Sequence, residues 1–191
     1  MDGDGEDRPE EIKLFIENFN YHPNKTIVGE RVKRSESILF KLCYSFHKVL
    51  TYTFTGQSIK FGNYTCLTKS TIEKMLSDKA TWSSFSGSLA KNCNDRAAIA
   101  SERGKRYFGP SKMSFLNLIK HSLAIIGVFK FNVLIRSILF ILVYLFLIYQ
   151  KISFIMFIPL ILIVLFLVST FIISKRENLY QLENSLENIL N

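Results

Sequence analysis

From Ile152 to Ile173 the chain carries no charged residue, and this run constrains the fold more than any other feature. As a helix, about 22 residues rise roughly 33 Å, the thickness of a bilayer's hydrocarbon core. The sequence therefore predicts a transmembrane helix over 152–173. A second apolar stretch, Val133 to Tyr149, precedes it and is interrupted near its start by Arg136. A long basic side chain at a helix end can snorkel toward the headgroups. Only Gln150 and Lys151 separate the two stretches, so a tight hairpin is expected over 133–174, with Pro159 tolerated inside its second span. A buried core hairpin of a soluble protein is the alternative, but the preceding part is too small to wrap it.

A hairpin returns the chain to its starting side. Lys120, Lys130 and Arg136 lie in or before it and Lys175 and Arg176 follow it, against Lys151 in the turn. By the positive-inside rule, the part before the hairpin and both termini are cytoplasmic, in an integral multi-pass protein. The first thirty residues are acidic and polar, unlike a secretory leader. The formal charge of +8 over 191 residues does not indicate nucleic acid, because the basic residues gather beside the spans. Cys43, Cys66 and Cys93 are isolated, as are His22, His47 and His121. Zinc, disulfide and nucleophilic-triad chemistry therefore find no support.

The opening segment carries a different signal. Asp2, Asp4 and Glu6 alternate ahead of Pro9. In an extended strand end, positions i, i+2 and i+4 face one way, so three carboxylates can converge on a hard cation such as Mg²⁺ or Mn²⁺. A metal held there can grip a diphosphate. The rivals are a merely solvated acidic terminus and a calcium loop. The calcium loop fails, because an EF-hand starting at Asp2 needs Gly and Glu where Asp7 and Lys13 stand. Pro9 can open a helix whose buried stripe is Ile12, Leu14, Phe15, Ile16 and Phe19.

Further along, Thr26 to Val28 reads as a short buried strand that ends at Gly29 and delivers Arg31 to its exit, where ligands bind in open α/β sheets. A helix is expected from Ser35 to Phe54, with Ile38, Leu39, Leu42, Phe46, Val49 and Leu50 on one face and Lys41, Ser45 and Lys48 elsewhere on its surface. Ile59 to Leu67 reads as a strand or turn broken by Gly62, followed by a helix capped by Thr68 or Ser70 and running to Leu76. Thr81 to Ala90 is expected to be helical and Ala97 to Ser101 a short strand. The loop from Glu102 to Lys112 is basic and broken by glycine, suited either to anionic lipid or to a phosphate clamp. From Met113 to Phe131, apolar residues at helical spacing beside Lys120 and His121 predict a helix lying in the membrane interface. In the tail, Leu179, Leu182, Leu186 and Ile189 have a 3,4,3 spacing that can zip helices of a homo-oligomer, although two heptads are marginal and a frayed tail is expected.

Together these residues give a resemblance: the chain looks like the latter part of a membrane-bound family 2 glycosyltransferase, of the dolichol-phosphate mannosyltransferase and polyprenyl-phosphate glycosyltransferase type. Asp2-Gly-Asp4-Gly-Glu6-Asp-Arg-Pro9-Glu10 resembles the family's DxD motif with its following Pro-Glu. Gly29-Glu-Arg31 resembles its Gly-x-Arg strand end. Arg106-Tyr-Phe-Gly109-Pro-Ser111-Lys112 resembles its Arg-x-x-Gly-x-Ser-Lys loop, followed, as in the family, by an amphipathic stretch and transmembrane helices. Tyr52 to Lys69, with Thr55-Gly56 and Phe61-Gly-Asn63, resembles a subgroup of these enzymes.

The fold implied is α/β: a partial GT-A (nucleotide-diphospho-sugar transferase) domain over 1–112, an interfacial segment over 113–132, the hairpin, and a cytoplasmic tail over 175–191. The resemblance further implies that Asp4 and Glu6, with Asp2 close by, hold Mg²⁺ or Mn²⁺ at the diphosphate of a nucleotide-sugar donor. Arg31 and Arg106 would meet phosphate charge, and Lys41, Ser45, Ser111 and Lys112 would bind substrate at the lipid phosphate. The reaction implied is transfer of the sugar to a membrane lipid acceptor, polyprenyl phosphate. Ile59 to Thr65 departs from the Asp and Ser-Gly-Phe-Arg motif of many relatives. The chain also starts at the metal motif, without the family's first strands, and is expected to be a truncated form. The competing readings are a non-catalytic membrane anchor or partner subunit, and a small pore-forming protein, which leaves the acidic and arginine motifs unexplained.

Overall fold

A computed structural model of the chain describes residues 1–33, 38–109, 114–150 and 153–190, without the side chains of 31–33, 38–41 and 189–190. It is a mixed α/β structure with a small three-stranded sheet and two long apolar helices. The elements used below are α1 (Ile12–Tyr21), β1 (Thr26–Lys33), α2 (Ile38–Thr55), β2 (Phe61–Cys66), α3 (Lys69–Leu76), α4 (Ala80–Ser83) and α5 (Phe85–Asn92). They continue with β3 (Arg96–Glu102), α6 (Phe115–Gly127), α7 (Lys130–Ile148), α8 (Ile158–Ser174) and α9 (Leu179–Leu190).

The sheet order is β2-β1-β3, with β1 antiparallel to β2 and parallel to β3. Strand alternation sends successive β1 residues to opposite faces. On one face Ile27 packs with Phe15, Tyr64 and Ile99 beneath α1, the Phe15 and Tyr64 ring centroids 4.3 Å apart. On the other, Val28 joins Phe61, Met75, Leu89, Ala90 and Cys93, and the same core takes in Val128 and Phe129. Those last two residues are the joint between α6 and α7. The membrane-type helices are therefore anchored in the core of the sheet.

β1 is longer than its sequence suggests. It runs through Gly29, where a Cβ would meet Phe15 at 3.1 Å and the Tyr64 carbonyl at 3.3 Å, and on to Lys33. Arg31 consequently pairs in register with Ser101 inside the strand rather than standing at its exit; its side chain lies outside the described residues. The start of α2 expected at Ser35 also lies outside them. In α1 only Phe15 is buried, while Ile12, Leu14 and Ile16 are exposed. Its expected five-residue stripe is too wide because a ten-residue helix on a three-stranded sheet turns only one narrow face to it.

Thr68 caps α3, accepting from the Thr71 amide, and Thr71 is linked in turn to Thr26 at the start of β1. The region expected to be helical over 81–90 is two short helices, separated at Ser84, whose hydroxyl caps α5. Arg96 caps the far end of α5, donating to the carbonyls of Leu89, Ala90 and Cys93.

α7 and the stretch beginning at Phe154 are each long and apolar enough to cross a membrane. Their large apolar side chains stand outside the protein; what they bury is Val133 and Ser137 on α7, and Ile163, Thr170 and Ser174 on α8. Small residues let apolar helices approach closely. Gly127 of α6 faces α8, where an added Cβ would make ordinary contact 3.5 Å from the Thr170 carbonyl. Lys130 at the start of α7 pairs with Glu177 just beyond α8 at 2.6 Å, so both ends of the hairpin are at one side. Tyr144 donates to the Met156 carbonyl at the other end. Pro159 lies inside the second span, as expected: a 3-10 turn, Phe154–Phe157, leads into α8, and the proline occupies the first turn of α8, where no amide is needed.

The tail is helical rather than frayed. Its Leu182 is buried, and α9 packs against α4 within the chain, which supplies the tertiary contact that an isolated short helix lacks.

Gly87 of α5 sits against the α6–α7 joint, where a Cβ would come within 2.9 Å of Val128 Cγ2 and 3.3 Å of the Ile125 carbonyl. Gly87→Val should destabilise the protein by about 1–3 kcal/mol, read as a lower thermal midpoint in detergent. Gly62→Ala, with nothing within 4 Å of the added carbon, should leave the midpoint nearly unchanged.

Candidate functional site

The acidic start of the chain is a turn, not a strand end. Gly5 has φ +89°, a conformation that glycine tolerates and other residues avoid, and the Glu6 amide donates to Asp4 Oδ1 at 3.0 Å. The expected alternation of Asp2, Asp4 and Glu6 on one face of an extended segment is thereby replaced by a fold-back. This turn is stitched to the loop after β3 by backbone bonds, Gly104 N–H to Glu6 O at 2.9 Å and Tyr107 N–H to Asp4 O at 3.0 Å. Glycines make the approach possible: a Cβ on Gly104 would clash with the Gly5 carbonyl, and one on Gly5 would lie 2.9 Å from the Lys105 carbonyl.

The stitching brings residues about a hundred positions apart into one charge cluster. Arg106 bridges both carboxylates, Nη2 lying 3.0 Å from Asp4 Oδ2 and Nε 2.7 Å from Glu6 Oε1. Arg103 also pairs with Glu6. Burial would raise the Glu6 pKa, but hydrogen bonds from Arg106 and Arg103 outweigh it and hold the carboxyl below its ordinary value. The Glu6 hydrogen bond raises the pKa of Arg106 in turn.

A neighbouring set of contacts fixes the frame. Glu11 accepts from Ser101 Oγ at 2.6 Å and from the Glu102 amide at 3.0 Å, locking the start of α1 to the end of β3. The Tyr64 hydroxyl donates to the Arg8 carbonyl, and its pKa is pushed up to about 12 by burial and then by Glu11, Asp7 and Glu10. It is a structural hydroxyl and stays protonated.

Of the residues singled out in the sequence, Asp4, Glu6 and Arg106 are brought together. Asp2 is not equally engaged: its carboxylate accepts from Asn63 Nδ2 at 3.3 Å and its amide donates to Asp7. Among the described residues no three acidic, histidine or cysteine side chains are grouped to hold a metal ion. The Asp4 and Glu6 oxygens nevertheless suit Mg²⁺ or Mn²⁺ chemically, being hard donors converging on one cation, and the cation they meet is Arg106. Ser45 lies on α2, exposed, and shares no recorded contact with this cluster. Ser111 and Lys112, and the side chains of Arg31 and Lys41, fall outside the described residues. Arg103 was missed; its only signal was its place three residues before Arg106 in the same basic loop.

A groove of about 250 Å³ beside α2, lined by Lys48, Val49, Thr51, Tyr52, Ser58 and Ile59, has no residue in common with the charge cluster. Comparison with known proteins adds no identity: no family model, curated protein or solved structure matches the chain.

Glu6 is the hinge of the cluster. Because its folded-state pKa lies below the ordinary 4.5, its stabilisation is complete above that value and is lost as pH falls through the lower folded-state value. At neutral pH, Glu6→Gln should cut hydrogen-exchange protection of the Gly104 and Tyr107 amides by about tenfold. The stability difference between wild type and variant should vanish in strong acid; equal protection at neutral pH would rule out the bridging role.

Proposed function

We propose that this chain is a membrane-bound glycosyltransferase of the family 2 type, transferring a sugar from a nucleotide-sugar donor to polyprenyl phosphate at the cytoplasmic membrane face. The observation that carries the reading is the convergence of Asp4 and Glu6 with Arg106 and Arg103, on loops at the end of a sheet whose core also holds the foot of an apolar hairpin. In such a site the arginines stand ready for phosphate charge, because a guanidinium binds a carboxylate and a phosphate with the same planar fork.

The donor's diphosphate would draw Arg106 and Arg103 away from the two carboxylates. Asp4 and Glu6 would then be free to hold the divalent cation, which, when bound, supplies charge neutralisation for the leaving diphosphate. Arg106, at the mouth of the loop, would stabilise the same developing charge. The bond from the anomeric carbon to the donor phosphate oxygen breaks, and one forms to an oxygen of the lipid phosphate. That nucleophile is ionised at neutral pH and needs no strong general base. Arg31, Lys41, Ser45, Ser111 and Lys112 are the proposed contacts of phosphate or lipid acceptor. The hairpin and α6 would keep the acceptor's end beside the loop, with both termini cytoplasmic.

A non-catalytic anchor or partner subunit is the competing reading, and direct ligand binding separates the two. Equilibrium binding of UDP and GDP to the detergent-solubilised full chain, with Mn²⁺ present, should show a diphosphate complex that Asp4→Asn weakens about tenfold or more. A chain that binds neither nucleotide, or an Asp4→Asn variant that binds as wild type does, would defeat the enzyme reading.

A further inference from the structure

α2 is built the opposite way from a helix in a water-soluble domain. Its fully buried residues toward the C-terminal end are Thr51 and Thr55, with relative exposures of 2% and 1%, while Leu42, Phe46, Val49 and Tyr52 are 63–68% exposed. The exposed four recur at spacings of four, three and three, so they form one stripe along the helix. α7 and α8 show the same inversion, burying Ser137, Thr170 and Ser174 and exposing their large apolar side chains. The sequence pattern placed Leu42, Phe46 and Val49 on one face. The pattern was amphipathic, but hydropathy alone does not say which solvent the apolar side meets.

The position of α2 says which. It packs against α7 and α6, and the Phe54 ring lies 4.8 Å from Phe166 of α8. Asn132 donates to the Thr55 carbonyl at 3.3 Å, and Arg136 to the Thr53 carbonyl at 2.8 Å. Arg136 is six residues into α7, about 9 Å along its axis, and Phe166 is eight residues back from the end of α8, about 12 Å. The end of α2 thus lies along the first turns of the hairpin, from Asn132 beside the charged mouth at Lys130 and Glu177 inward to Arg136 and Phe166. Arg136 does not snorkel outward, as its place in the sequence suggested. Its guanidinium caps the C-terminal carbonyls of α2, neutralising the negative end of that helix and satisfying groups that have no water partner in lipid. The groove beside Lys48 and Tyr52 opens on this helix, and Lys48 lies over the Tyr44 ring at 5.6 Å, an arrangement suited to a headgroup boundary.

We infer that α2 is a membrane-inserted helix, its Leu42, Phe46, Val49 and Tyr52 stripe immersed in the acyl region of the leaflet that holds the two ends of the hairpin. The stripe's occupant is lipid, because the stripe continues the lipid-type surface of α7 and α8 and its inner side is closed by the small-residue packing and arginine cap of a membrane bundle. The sheet domain then rests on the membrane through three elements, α2, α6 and the hairpin. This inference rests on the membrane part of the proposed function and not on catalysis.

The test uses tryptophan fluorescence of the full chain in liposomes, in a Trp82→Phe background, with and without phosphatidylcholine brominated high in its acyl chains. Phe46→Trp should lose about half its emission or more, as should Leu142→Trp in the middle of α7, whereas Tyr21→Trp, on the exposed end of α1, should keep its emission. Val49→Trp reports the same stripe should Phe46→Trp fail to fold. Quenching at 142 without quenching at 46 and 49 would place α2 outside the lipid and overturn the inference, including the case where a second copy of the chain covers the stripe. Absence of quenching at 142 as well would overturn the membrane reading itself.

Discussion

The insertion of Val128 and Phe129 into the sheet core is the contact on which the rest of the structure depends. These two residues occupy the break between α6 and α7, and their burial against Val28, Phe61 and Leu89 turns two apolar helices and a three-stranded sheet into one body. Besides it, the sheet part meets the hairpin and tail through α2 on α7 and α9 on α4. With it, the edge of the sheet that carries the loop after β3 is held at a fixed place relative to the helices. Gly87, which admits the close approach of α5 to this joint, is small for that reason.

The charge cluster is a second constraint, of a different kind. Asp4, Glu6, Arg103 and Arg106 come from opposite ends of the sheet domain, and their mutual neutralisation joins its first turn to its last loop. Exposed ion pairs contribute little individually; here the network is partly buried and reinforced by two backbone hydrogen bonds. In the proposed reaction the same arginines would exchange these carboxylates for the donor's diphosphate.

Much of this was legible in the sequence, and the exceptions have physical causes. Helices α3, α6 and α7 follow from periodicity and, for α3, from the Thr68 cap, whereas α9 was hidden because its order comes from packing on α4. The meeting of the acidic start with the basic loop was expected from the sequence, although its geometry was not: Gly5 makes a turn of what alternation suggested was a strand. The extent of β1 was hidden because strand pairing through Gly29 is decided by neighbours, β3 and α1, that lie far away in sequence. The orientation of α2 was hidden because an apolar stripe facing a core and one facing lipid have the same period. Arg136 was misplaced for a related reason, since a helix terminus that needs a cap is visible only in three dimensions. The roles of Ser111, Lys112 and the side chains of Arg31 and Lys41 rest on the resemblance alone.

The proposed role of the arginine-bridged acidic turn beside the apolar hairpin is sugar transfer to lipid. The most direct measurement supplies membranes containing the chain with polyprenyl phosphate and a panel of radiolabelled nucleotide sugars, then counts label in the organic-extractable lipid. Lipid labelling from one donor with the wild-type chain, and its loss in Arg106→Gln, is the expected result. No labelling above membranes lacking the chain, or equal labelling by wild type and Arg106→Gln, would contradict it.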